Sequence, residues 1–156
     1  MKLFQALKLK NKLVAEITNK KSLIQQKNSR EEGETNYYNV NQLFKDLTTH
    51  IDNLTALKIA INDANLPIQH IIYELAETKT MLNFIKGLNT QEGVIKNRFA
   101  SDTESKYVVA FNELQKNELV EQYQSKIDTM QEDIDVFNHT TDIKLDVSNF
   151  LILKKK

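Results

Sequence analysis

Phe111–Phe137 reads FNELQKNELVEQYQSKIDTMQEDIDVF. Its apolar residues Val120, Tyr123, Ile127, Met130, Ile134 and Phe137 are separated by steps of 3, 4, 3, 4 and 3, which places them on one face of a helix as a heptad seam. The residues between them, among them Glu121, Gln124, Lys126, Asp128, Glu132 and Asp135, suit water. A helix of this kind cannot bury its stripe alone, so a second helix has to cover it. The seam is the predicted interaction surface, and the rest of the chain supplies candidate partners for it.

Working outward, 156 residues make about one domain. With 3 Gly and 1 Pro, the turns that a many-stranded sheet needs are scarce, which favours long helices with few connections. Cysteine is absent, which removes disulfides, thiol nucleophiles and thiolate metal sites together. Lys8, Lys10 and Lys12 interrupt Leu7, Leu9 and Leu13, so the start carries no signal-peptide core, and no stretch approaches the ~20 apolar residues of a membrane span. The expected compartment is the cytoplasm.

Net charge is zero but unevenly spread. Residues 1–30 hold eight basic side chains and one acid, net +7, whereas residues 101–138 hold nine acids and three lysines, net −6. The opposite signs suggest that the first and last helices lie side by side. A nucleic-acid surface is not expected, because the lysines fall on several helical faces without interleaved aromatic residues.

Four helices are predicted, at about 2–27, 40–65, 67–86 and 112–138. In the first, Leu3, Leu7, Val14, Ile17 and Ile24 form the stripe, with Lys10 and Lys21 in its gaps and Leu13 and Leu23 widening it. The second, capped by Asn39, carries Leu43, Leu47, Ile51, Leu54, Leu57, Ile61 and Ala64, broadened by Phe44 and Ala60. Pro67 breaks it and is suited to open the third helix, which Gly87 ends. Leu88–Asn112 is rich in turn formers, including Asn97, Ser101 and Asp102. The β-prone runs are Tyr107–Phe111 and Ile143–Leu153. They predict a small β element near residues 105–111 and 143–153, with Val94–Phe99 as a further contributor, and a frayed lysine tail after it.

Met1–Leu7 before a long basic helix, Ile61–Asn65 at the close of a second helix, and Ser105–Val109 leading into a long helix that ends Asp135–Asp142 resemble the septicolysin-like family of small bacterial proteins. The resemblance covers about residues 1–145. It departs at His139, where that family carries an aromatic residue, often Trp, and the tail after Asp146 has no counterpart. It implies a helical, coiled-coil-like protein, and the family name implies a membrane-active, cytolysin-like role. The residues argue otherwise: the cleanest amphipathic helix is acidic and the chain has no Trp.

No motif points to an enzyme or to a cofactor. His70, Glu74 and Glu77, at i, i+4 and i+7, are candidate metal ligands, with His50 as the available further imidazole. The competing reading is an exposed polar face opposite Ile71, Leu75 and Leu82. Asn62, Asn65, Asn138 and His139 end long helices, where capping competes with a polar ligand site that would include Thr140, Thr141 and Asp142. Tyr37 and Tyr38 either stack on a partner or pack the end of the hairpin.

The sequence thus predicts a mainly all-α protein over 1–156, a single elongated helical domain. A long antiparallel coiled-coil-like hairpin is joined by two further helices, the last of them packing back along the hairpin. The expected function is that of a structural or interaction protein that self-associates as a homo-oligomer, most simply a dimer, through such seams. A membrane-active protein and a metal-binding helical bundle are the alternatives.

Overall fold

The computed structural model describes residues 1–35, 37–96 and 104–154. The protein is mainly all-α, with four long helices and one small two-stranded sheet. The chain divides into two compact units, Met1–Pro67 with Val136–Lys156, and Ile68–Asp135.

The first unit is built on α1 (Leu3–Lys27) and α2 (Val40–Asn65). Asn39 caps α2 as its side chain predicts, its Oδ1 accepting the Gln42 N–H at 3.0 Å. The helices run antiparallel: Lys20 near the end of α1 pairs with Asp46 near the start of α2, while Leu9 and Leu13 cluster with Leu57 and Ile61. The face that α1 buries differs from the expected one. Leu3, Ala6, Leu9, Leu13, Ile17 and Lys20 are buried, and Val14 is 44% exposed. The row 3, 6, 9, 13, 17, 20 still has helical spacing but lies rotated from the predicted stripe. It places Leu13, rather than Val14, against α2.

Ile143, Phe150 and Ile152 complete this core. The alternation in 143–148 is real, with Ile143, Leu145 and Val147 more buried than Lys144, Asp146 and Ser148. Its cause is an extended segment lying with one side on the helices, and not the expected sheet. One bridge, Lys2 to Asp142, is the only ladder contact of this segment among the described residues. The Asp146 carboxylate accepts the Ser148 N–H to turn the chain, and α5 (Leu151–Lys154) follows and packs on α2.

A 3₁₀ turn, Leu66–Ile68, holds Pro67, so α3 starts later than predicted, at Gln69, and runs to Lys86 with Gly87 as its C-cap. Proline has no N–H to continue the α2 ladder and disfavours helical geometry in the residue before it, so α2 stops at Asn65 and a short tighter turn links it to α3. In the second unit β1 (Gly93–Lys96) pairs antiparallel with β2 (Glu104–Tyr107), in the register Gly93 to Tyr107 and Lys96 to Glu104. The strand shares only Ser105–Tyr107 with the element predicted at 105–111: Val108–Phe111, most of the β-prone run, lies outside it, and its partner is the 93–96 segment and not the C-terminal run. Gly93 opens β1 at φ +97°, a conformation that favours glycine. Asn97, Ser101 and Asp102, the 97–99 end of the predicted Val94–Phe99 run, and the last two lysines lie outside the described residues.

Next, α4 (Glu113–Thr140) begins at a reciprocal cap: Asn112 Oδ1 accepts the Gln115 N–H at 2.9 Å and Gln115 Oε1 accepts the Asn112 N–H at 3.0 Å. Its residues to Asp135 belong with the second unit and its last turn with the first.

Candidate interaction surfaces

The α4 seam is covered by α3. Ile127 and Met130 are buried with Leu75 and Leu82 of α3, flanked by Val120, Tyr123, Ile134 and Ile71. Glu74 meets Lys126, and the Leu88 carbonyl accepts from Lys116 Nζ at 3.1 Å, so α3 and α4 run antiparallel. Phe137, the last seam residue, belongs instead to the core of the first unit. The seam is thus an intrachain contact whose cover is the shortest of the four predicted helices.

That pairing also engages one of the α3 residues considered as metal ligands. Lys126 Nζ lies 2.6 Å from Glu74 Oε1. The hydrogen bond and charge of Lys126, with a smaller contribution from the charge of His70, hold the Glu74 carboxyl below its ordinary range, and Glu74 in turn raises Lys126. Glu74 therefore answers a lysine and not a ligand set with His70 and Glu77. Among the described residues no group of three or more His, Asp and Glu side chains is placed to hold a metal ion. His50 is buried at 1% exposure, in α2.

The polar helix ends meet at one end of the first unit. The Leu3 N–H donates to the Thr141 carbonyl at 2.8 Å and the Ile143 N–H to the Met1 carbonyl at 2.9 Å. Lys2 Nζ bonds Asp142 Oδ2 at 2.7 Å and the Thr140 carbonyl at 2.9 Å, and the N-terminal ammonium lies 3.7 Å from Asp142. The Lys2 hydrogen bond has the largest effect and lowers the Asp142 carboxyl; burial opposes it, and the charges of Lys2 and the N-terminus lower the group further. His139 stacks on Phe4 with ring centres 4.6 Å apart at 15°, and Lys8 Nζ is 5.3 Å from the same ring. A cavity of about 180 Å³ nearby is lined by Ala60, Asp63, Ala64, Asp142 and Lys144. Asn62, Asn65, Asn138 and His139 do not line it. This end is a clasp between chain segments whose charges answer one another. At the other end of the hairpin, Tyr37 is 88% exposed and Tyr38 has Lys27 Nζ 5.9 Å from its ring centre.

What the residue-by-residue reading missed is the outer face of α2. Phe44 and Ile51, expected in the buried stripe, are 59% and 41% exposed, and Ile59 and Leu66 are 58% and 63% exposed. Thr48 and Thr55 lie between them, and their hydroxyls donate to the Phe44 and Ile51 carbonyls at 3.1 and 2.9 Å. A threonine bonded back in this way satisfies its own hydroxyl and leaves its methyl on the surface. On α3, Tyr73, Met81 and Phe84 are likewise exposed. The signal for the α2 face was present as a second apolar row beside the core row.

Among the described residues no helix is long and apolar enough to cross a membrane. Compared with family models, curated proteins and solved structures, the chain has no match among them.

Proposed function

We infer that this is a structural or interaction protein that self-associates through apolar helix faces. The observation that carries the reading is the outer face of α2, where Phe44, Ile51 and Ile59 stand in solvent along one helix with Leu66 at its C-cap. Exposed apolar side chains aligned on one face in this way mark a protein contact site. The α4 seam, being covered by α3, is not the associating surface in this reading; the outer faces of α2 and α3 are. Supporting it further, the titration of Glu74, Lys126, Asp142 and Asp146 is displaced in each case by an internal partner.

Light scattering on a sizing column, at about 0.1 M and about 1 M salt, tests the reading. Apolar association is kept or strengthened at the higher salt, whereas association through surface charges is screened. The expected result is an oligomer at both. A monomer at both salts, at every concentration reached, overturns self-association.

A further inference from the structure

The α2 row has a property beyond exposure. Phe44, Thr48, Ile51, Thr55, Ile59, Asn62 and Leu66 are separated by steps of 4, 3, 4, 4, 3 and 4, which read the same in both directions about Thr55. All seven are exposed. Eleven residues span each half, which keeps the row nearly straight along the helix for about 33 Å. A surface that repeats itself when reversed fits the isologous contact of a two-fold dimer, in which the same patch serves both subunits.

We propose that the outer face of α2 is a homodimer interface, in which a second copy of this chain lies antiparallel across it with the two-fold axis at Thr55. This rests on the self-association reading above and names the surface and its occupant. In the pair, Phe44 meets Leu66 of the second copy, Ile51 meets Ile59, and Thr55 meets Thr55. Charge favours the same pairing. Lys45 and Asp63 are exposed, lie 18 residues apart and so fall on one flank of the row. Antiparallel helices bring like flanks together, so each Lys45 approaches the other copy's Asp63, at both ends of the contact. Asp52 and Lys58, the other charges beside the row, fall opposite neutral positions, so no like charges are forced together. A single helix face of this length is at the small end of stable interfaces, which places the dissociation constant at about micromolar.

The absence of cysteine makes the test direct. Thr55→Cys in the full chain is expected to be captured as a covalent dimer by a short bis-maleimide, while Thr129→Cys, exposed on α4 and on neither of these faces, stays monomeric. In light scattering from about 1 to about 500 μM, Ile51→Asp with Ile59→Asp is expected to weaken dimerisation at least ~100-fold, with circular dichroism showing the helices retained. Lys45→Asp weakens it too, and Lys45→Asp with Asp63→Lys restores it. An oligomer that persists in the double aspartate variant, with Thr55→Cys not captured, overturns the α2 interface and leaves self-association standing. A wild-type monomer throughout overturns both.

Discussion

Lys20 is 6% exposed, within an otherwise apolar row of α1, and its ammonium lies 3.5 Å from Asp46, which also accepts from Gln42. A buried pair of this kind adds little net stability, because desolvation offsets attraction, but breaking it leaves one charge stranded. Replacing both partners, Lys20→Met with Asp46→Leu, is therefore expected to change stability by less than about 1 kcal/mol, while Asp46→Ala alone costs about 3 kcal/mol. Urea denaturation of the two variants decides it, and equal costs would mean that the pair itself is the stabilising element. Leu57, fully buried, is the apolar counterpart: Leu57→Ala is expected to cost about 2–5 kcal/mol through lost burial and the cavity left behind. At Asp142 the effect is one of pH. Its carboxyl is held below the ordinary range, so its pairing with Lys2 favours the folded state above about pH 4 and fades as pH falls through the lowered value. Amide protection at Leu3 and Ile143 should drop between about pH 6 and about pH 3, and in Asp142→Asn that pH dependence should vanish.

At the scale of elements, local signals were readable and rotational ones were not. The Asn39 cap and the Leu66-Pro67 break delimit α2 at Val40–Asn65 because each acts on its own backbone neighbours. Which face α1 or α2 buries depends on the partner helix, and two adjacent apolar rows in each made that choice ambiguous. Leu13 lies in and Val14 out, Leu47 in and Ile51 out. The extended tail misled for a related reason: alternation reports one buried side, and a helical surface can bury that side as well as a sheet. The pairing of α4 with α3 was beyond the sequence, since a heptad seam specifies a partner of its own kind without saying which. It yields a sharp contrast. Ile127→Asp, facing Leu75 and Leu82, is expected to destabilise by several kcal/mol, whereas Ile59→Asp on the open face of α2 should leave the monomer's melting nearly unchanged. Thermal melts of both variants at low concentration check the pair.

For the whole molecule, the two units differ in how much holds each together. Among the described residues the first has a cluster of nine buried apolar residues, and the second a cluster of four, Leu75, Leu82, Ile127 and Met130. Opening free energy follows buried apolar contact, so the second unit is the softer of the two. Hydrogen exchange should show amides of α3 exchanging well before those of the first half of α1, and uniform protection across both would contradict the ranking. The candidate surface was legible only in part at this scale. The side chains of the α2 face could be read from the spacing, but that they stay uncovered follows from the completed packing.

The clasp between Met1–Leu3 and Thr141–Ile143 also sets an order of events during synthesis. The first unit is discontinuous: after Pro67 leaves the ribosome, 68 further residues are made before Val136 resumes it. At ~5–20 residues per second this is an interval of about 3–14 s. Throughout it, α1 and α2 have each other but not Ile143, Phe150 and Ile152, which finish their core. A hairpin with part of its apolar surface waiting for a segment not yet made is a natural client for a chaperone, and the intervening helices must form while it waits. The first turn of α1 is thus made before α3 and α4 and secured only after them.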